Sequence, residues 1–243
     1  PQPLWRTAET AIVAVDVALP PRLAVGYLPG VGDNVAPMLA QLGVPVTVLD
    51  PATLASADLS RFTALVVGPR AYEAHPALVA ANARLLDWAR AGGTLVVQYG
   101  QYEMTQPGVM PHPVTLDRPA QRVTLEEAPV TVLDATARVL ATPNRIGPAD
   151  WAGWVQERAL YMPASADSAY RPVVALHDPG EPENRNALLV APLGRGTYVY
   201  TTLSLFRQLP AGNPGAARLF VNLLAARADA VAVRKAPAAP ARR

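Results

Sequence analysis

Three continuous apolar runs constrain the fold of this chain more than any other feature. They cover residues 23–28, 64–68 and 94–99, and a helix-like spacing of apolar side chains fills residues 77–91 before Gly92 and Gly93. Apolar runs without alternation are typical of strands that are covered on both faces. Strand, helix and strand in this order are joined by right-handed crossovers into a parallel sheet. The sequence therefore predicts an α/β domain with a mostly parallel sheet and helices on both faces.

The pattern changes in the second half of the chain. Residues 104–150 are rich in proline and show short strand-like stretches at 114–116, 122–125 and 130–133, which predicts a Pro-rich β insertion over about 104–170. Further strands are expected at 173–177, 187–191 and 197–203, and an amphipathic helix at 214–228. We divide the chain into an N-terminal lead-in or linker (1–22), the α/β domain (23–228) and a disordered tail (229–243) of low hydrophobicity.

The composition excludes several functions. The 243 residues include no cysteine, only three histidines, and a formal net charge of +2. These values argue against a thiol nucleophile, a thiolate metal site and a basic nucleic-acid-binding surface, and we expect no metal and no cofactor. No apolar run reaches the roughly 18 residues of a membrane span. The sequence opens without Met or a signal pattern, as a domain cut from a longer protein would, and it assigns no compartment.

Ligands of parallel sheets bind beyond the carboxyl ends of the strands. That rule selects four segments, namely residues 29–34, 69–75, 100–103 and 204–208. The first contains Gly30 and Gly32 but matches neither nucleotide-binding fingerprint, so a tight turn capped by Asp33 or Asn34 is the favoured interpretation.

Polar and aromatic residues concentrate at these strand ends and in residues 144–158. Two tryptophans in the latter segment are expected either to offer a platform for a sugar or to hold the insertion on the main domain. The candidate ligand-binding residues are Arg70, Tyr72, Glu73, Gln98, Tyr99, Gln101, Trp154, Glu157, Arg158 and Arg207. An alternative is a hydrolase with Glu73 or Glu157 as general base and His75 as its partner, which requires Glu73 and His75 to converge.

Longer strings carry a resemblance to a known family. They are Gly26-Tyr-Leu-Pro-Gly-Val-Gly-Asp33, Val67-Gly-Pro-Arg-Ala-Tyr72, Asn144-Arg-Ile-Gly-Pro-Ala-Asp150, Trp154-Val-Gln-Glu-Arg158 and Leu205-Phe-Arg-Gln-Leu-Pro210. Over residues 22–226 the chain resembles the flavodoxin-like, class I glutamine amidotransferase-like fold in its ThuA-like branch. It resembles most the C-terminal domain of some bacterial PIG-L (LmbE-like) deacetylases.

Two departures from these families limit the function that the resemblance implies. Amidotransferases of this class carry a cysteine at a turn that corresponds to Tyr99-Gly100-Gln101, and the chain has none. The deacetylase zinc motif Ala-His-Pro-Asp-Asp is also absent. The resemblance therefore implies a non-catalytic domain that binds a small carbohydrate-like ligand or packs on the deacetylase domain of the same parent chain. The sugar hydrolase above and a purely structural interface domain are the alternatives.

Overall fold

The computed structural model describes residues 14–227. The predicted tail 229–243 and most of the predicted lead-in lie outside this range, and residues 14–22 form neither helix nor strand. The first part of the domain alternates strands and helices as the apolar runs predict. Its elements are β1 (Val25–Leu28), α1 (Val35–Gln41), β2 (Val46–Val48), β3 (Ala64–Val67), α2 (Ala71–Ala74), α3 (Pro76–Arg90) and β4 (Thr94–Gln98).

The second part contains short strands, then long ones, then two helices. Its elements are β5 (Val114–Thr115), β6 (Gln121–Val123), β7 (Val130–Val132), α4 (Arg138–Ala141), β8 (Ala159–Met162), β9 (Ser165–Ala166), β10 (Arg171–Leu176), β11 (Asn184–Leu193), β12 (Gly196–Thr201), α5 (Leu205–Gln208) and α6 (Pro214–Leu224). No helix among residues 14–227 is long and apolar enough to cross a membrane.

Eight strands form one sheet in the order β2-β1-β3-β4-β12-β11-β10-β7. The strands from β2 to β12 are parallel, whereas β11, β10 and β7 extend the sheet through antiparallel pairs. The predicted α/β fold with a mostly parallel sheet is confirmed. The structure adds that β7, from the predicted insertion, belongs to this sheet, because Val132 pairs with Val174. The other insertion strands form two small sheets, β5–β9 and β6–β8.

Helices cover both faces of the sheet, and alternate residues of each strand supply the two cores. Val66 and Val96 pack in the layer that contains α1 and α6. Leu65 and Leu95 point to the opposite layer, which contains α3. Burial of such side chains stabilises the fold by roughly 1.5–3 kcal/mol each. The parallel strands are apolar throughout because both of their faces are buried.

The parallel strands also set the position of the candidate site. The carboxyl ends of β1, β3, β4 and β12 open on one edge of the sheet because these four strands point in the same direction. The loops after them therefore meet, although they come from distant parts of the sequence. At the opposite edge, α3 ends before Gly92, whose φ of +126° is accessible to glycine.

Candidate functional site

Four aromatic rings from three segments meet beyond the carboxyl ends of β4 and β12. The Tyr99 ring lies 6.2 Å from the Tyr161 ring at an interplanar angle of 20°, and 5.4 Å from the Phe206 ring. Tyr102 meets Tyr161 edge to face at 5.8 Å. We call these rings and the ion pairs around them the strand-end cluster. It comprises Arg70, Glu73, Tyr99, Tyr102, Glu157, Tyr161, Phe206 and Arg207.

Two arginine–glutamate ion pairs border the rings. Arg70 donates from Nε to Glu73 Oε2 at 2.8 Å and from Nη2 to Glu73 Oε1 at 2.6 Å. Arg207 donates from Nε to Glu157 Oε1 at 2.5 Å, and the Arg207 side chain is 36% exposed. The strand-end cluster therefore presents two guanidinium groups whose charges are balanced by two carboxylates.

The backbone holds Arg70 next to Tyr99. Arg70 has a φ of +56°, which is uncommon for a residue with a side chain, and its amide donates to the Tyr99 carbonyl at 2.8 Å. This bond ties the loop after β3 to the loop after β4. Burial raises the pKa of the Tyr99 phenol, and the positive charges of Arg70 and Arg207 partly offset that rise. Both guanidinium groups thus act on the same phenol.

Tyr161 reaches the site because its segment runs beside the end of β12. Leu160 donates its amide to the Thr202 carbonyl at 3.0 Å, and Ser204 donates its amide to the Arg158 carbonyl at 2.9 Å. Tyr161 itself has a φ of +49°. These contacts place a side chain of the predicted insertion beside the carboxyl end of β12, the strand between β4 and β11.

Gln98 lies beneath this edge in a buried polar chain. Its Nε2 donates to the Tyr27 hydroxyl at 3.1 Å, and the hydroxyl donates to Asp33 Oδ2 at 2.6 Å. Asp33 also accepts from the amides of Gly30 and Val35. Gln98 Oε1 is buried and has no hydrogen-bond partner within the described range. The glycine-containing loop after β1 is thus a turn organised by the Asp33 carboxylate.

Three other predicted ligand-binding residues use their functional groups inside the protein. The Tyr72 hydroxyl donates to Asn82 Oδ1 at 2.6 Å in a buried position. Trp154 is buried 5.7 Å from Trp151, and its Nε1 donates to the Asp150 carbonyl. The packing of Trp151 against Trp154 corresponds to the expectation that the two tryptophans hold the insertion on the main domain rather than offer a platform for a sugar.

Arg158 is the third of these residues. It is buried and donates from Nε to the Ala128 carbonyl at 3.1 Å and from Nη1 to the Trp151 carbonyl at 2.5 Å. Burial lowers the pKa of Arg158 to about 10. Gln101 lies at the end of β4, half-buried, with its amide donating to Glu103 Oε1 at 2.8 Å.

The hydrolase alternative requires contact between Glu73 and His75. Both Glu73 oxygens accept from Arg70, and His75 adopts an extended backbone at the start of α3. No hydrogen bond or ion pair joins the two side chains in the part of the chain that the structure covers. Glu157, the other candidate base, is held by Arg207. Among residues 14–227, no group of three or more His, Asp or Glu side chains is placed to hold a metal ion.

Two side chains pack closely around Gly100 in the turn after β4. A Cβ atom there would lie 2.6 Å from Glu103 Oε1 and 2.6 Å from Met104 Sδ. Such distances lie well inside ordinary van der Waals contact. A side chain at residue 100 would therefore require the Glu103 and Met104 side chains to shift.

Sequence reasoning missed Tyr102, Tyr161 and Phe206. Tyr102 and Phe206 belong to the segments that the strand-end rule selected, so their aromatic character was a usable signal. Tyr161 belongs to β8, and nothing local to it indicates that β8 lies beside the end of β12.

No family model and no curated protein matches the sequence. Solved structures do match. The chain is similar to the cytoplasmic protein STM3548 from Salmonella typhimurium (TM-score 0.54, 12% identity, 84% of this chain and 98% of that chain). It is also similar to a ThuA-like protein from Bacteroides uniformis (0.53, 11%, 87% and 93%) and to PurLQS from Thermotoga maritima (0.53, 11%, 84% and 98%).

The fold is ThuA-like. The predicted resemblance to the ThuA-like branch of the class I glutamine amidotransferase-like fold is confirmed at the level of fold, which is what identities of 11–12% can show. Within this ThuA-like fold, function has to be argued from the strand-end cluster itself.

Proposed function

We propose that the chain is a non-catalytic, amidotransferase-like domain that binds an uncharged, hydroxyl-rich ligand of the carbohydrate type at the strand-end cluster. One observation carries the proposal: stacked tyrosine rings lie near two arginine–glutamate ion pairs at the carboxyl edge of the parallel strands. Open α/β sheets bind their ligands at this edge.

The chemistry of the strand-end cluster suits a sugar. Aromatic faces pack against the apolar faces of a pyranose ring, while a few fixed polar groups orient its hydroxyls. Arg207 uses only Nε in its ion pair, so its two Nη groups are available as donors within the described structure, and Glu157 Oε2 is available as an acceptor. Adjacent donors and acceptors of this kind match the paired hydroxyls of a sugar.

The charge balance favours a neutral ligand over an anionic one. Arg70 and Arg207 are each paired with a glutamate, so these two ion pairs carry no net charge, and the Arg118 guanidinium lies 3.7 Å from the centroid of the Tyr102 ring. A phosphate or carboxylate would have to compete with Glu73 or Glu157 for its guanidinium group. An uncharged ligand avoids that competition.

The same contacts support a binding role over a catalytic one. A general base works best when its pKa lies near the operating pH. The hydrogen bonds from Arg70 lower the pKa of Glu73 instead. Thiol chemistry is excluded because the sequence has no cysteine.

Calorimetric titration of the protein with a panel of methyl glycosides, disaccharides, amino sugars and uronates tests the proposal. We expect heat with at least one neutral sugar. Arg207→Ala should weaken that binding about tenfold, the loss expected for a hydrogen bond to a charged group. The control Arg90→Ala removes an exposed, ion-paired arginine at the opposite edge and should leave binding unchanged.

A second matched pair tests the aromatic contact. Tyr161→Ala should weaken sugar binding, whereas Tyr161→Phe keeps the ring and should retain most of it. Absence of heat with every sugar, or equal affinity in all four variants, would contradict the proposal.

We also propose, from the sequence resemblance alone, that this domain accompanies a PIG-L-type deacetylase domain in a longer protein. The strings that carry the resemblance are spread over residues 26–210. Sequencing the coding region upstream of Pro1 tests this association. An open reading frame with an Ala-His-Pro-Asp-Asp motif supports it, and a start codon at that point contradicts it.

A further inference from the structure

A groove lies beside β7, at the edge of the main sheet and away from the strand-end cluster. We call it the edge groove. It is a cavity of about 360 Å³ between β7, α4 and the segment 145–151. Its walls expose both apolar and polar surface, and the main apolar contributors are Val130, Val132, Leu140, Ile146 and Trp151. The Val132 side chain is 44% exposed, which is high for a valine beside a core.

The backbone of β7 is open on the side away from the sheet. β7 pairs with β10 only, and the structure shows no strand on its other side within residues 14–227. Leu133 donates its amide to the Val173 carbonyl at 2.9 Å. The backbone amides and carbonyls of successive residues point to opposite sides of a strand. Those of residues 131 and 133 therefore point toward β10, and those of Val130 and Val132 point outward. These are the groups that a further strand would pair with.

Arg145 is the one charged residue that lines the edge groove. It is exposed, and it forms no hydrogen bond or ion pair within the part of the chain that the structure describes. Its surroundings contrast with those of Arg70 and Arg207, whose charges are balanced by glutamates. A guanidinium group beside an apolar cavity suits a ligand that carries a carboxylate next to an apolar group.

We propose that the edge groove binds an extended peptide that ends in an apolar residue with a free carboxylate. The peptide adds a strand to β7 through the outward amides and carbonyls of Val130 and Val132. Its last side chain enters the apolar cavity, and its terminal carboxylate meets Arg145. A C-terminal apolar residue fits because it carries the apolar group and the carboxylate on the same residue. Strand addition with a pocket for alternate side chains is an established mode of peptide recognition.

Selection from a display library of heptapeptides with free C-termini, followed by fluorescence polarisation, tests the proposal. We expect enrichment of peptides that end in Val, Leu or Ile. Their binding should be lost in Val132→Lys, which puts a charge at the cavity. It should be kept in Val48→Lys, which alters the exposed valine of β2 at the other edge of the sheet. Thermal melts of both variants show whether each one folds.

A second comparison tests the contact between the peptide carboxylate and Arg145. The C-terminal amide of a selected peptide should bind at least about tenfold more weakly than the acid. In Arg145→Gln the acid and the amide should bind equally. Selection that enriches nothing over the Val132→Lys variant overturns the proposal. So does self-association in sedimentation experiments that Val132→Lys abolishes and Val48→Lys keeps, because the edge groove would then be occupied by a second copy of this chain.

Discussion

Gly68, directly after β3, illustrates how closely two loops approach beneath the strand-end cluster. A Cβ atom at this position would lie 2.3 Å from Asp33 Oδ2 and 2.5 Å from the Gly30 amide nitrogen. The Asp33 carboxylate in turn binds the Tyr27 hydroxyl and the Gly30 amide. A side chain at residue 68 would therefore push apart the contacts that hold the loop after β1.

We expect Gly68→Ala to lower the free energy of unfolding by about 2–3 kcal/mol, because overpacking of a tight contact has costs of this size. Urea denaturation measures the change. Gly147→Ala is a matched control, since nothing lies within 4 Å of a Cβ atom there and its φ is negative. That control should change stability by less than about 1 kcal/mol. An equal change in the free energy of unfolding for the two variants would show that the loops after β1 and β3 separate at little cost.

At this scale the sequence predicts which segments meet but not which way each side chain points. The apolar runs locate the strand ends, and Arg70, Tyr99 and Arg207 lie there because of them. Tyr72 and Arg158 find their partners outside their own segments, namely Asn82 ten residues after Tyr72 and the Ala128 carbonyl 30 residues before Arg158. No local pattern contains that information.

Among the elements, α6 depends on one buried amide side chain. Asn222 donates from Nδ2 to the Val139 carbonyl at 3.0 Å and to the Asn144 carbonyl at 2.6 Å. Its Oδ1 accepts from the Asn144 amide at 2.9 Å. One side chain thus joins α6 to α4 and to the loop that leads into the edge groove.

Asn222→Ala should lower the free energy of unfolding by about 3 kcal/mol, because it leaves backbone groups buried without partners. Chemical denaturation gives the value. Gln41→Ala, an exposed truncation of similar size at the end of α1, should change stability by less than about 0.5 kcal/mol. A small effect of Asn222→Ala would mean that other groups or water replace its hydrogen bonds.

The limits of the elements could be predicted where local signals mark them. Gly92 and Gly93 predict the end of α3 to within one residue of its observed position. Asn213 and Pro214 mark the start of α6, where Asn213 Oδ1 accepts a hydrogen bond from the Ala216 amide. The end of α6 was expected at 228, but the helix stops at Leu224. The position of β7 in the main sheet could not be predicted, because its partner β10 lies about 40 residues further along the chain.

Over the whole molecule, burial raises the pKa of six tyrosines, which are Tyr27, Tyr72, Tyr99, Tyr170, Tyr198 and Tyr200. A phenol whose pKa is higher in the folded state than in the unfolded state contributes stability that is present below the unfolded value of about 10 and is lost as the pH rises above it. Alkaline conditions should therefore unfold this protein.

We expect the free energy of unfolding to fall above pH 10 by up to about 1.4 kcal/mol per pH unit for each tyrosine that stays protonated in the folded state. Absorbance at 295 nm reports tyrosinate, and circular dichroism reports the helices and strands. The two signals should change together, because the buried phenols ionise on unfolding. Ionisation of most tyrosines near pH 10 with intact circular dichroism would contradict this expectation.

The position of β12 has a consequence for synthesis. It lies between β4 and β11 at the middle of the sheet, yet it is the last strand in the described part of the chain. A nascent chain that has emerged only as far as residue 193 has two separate half-sheets, each with an open edge. Open edges of this kind pair with other chains. Emergence of residues 196–201 closes both edges in one step, so protection of the two half-sheets from aggregation depends on the strand of the sheet that is made last.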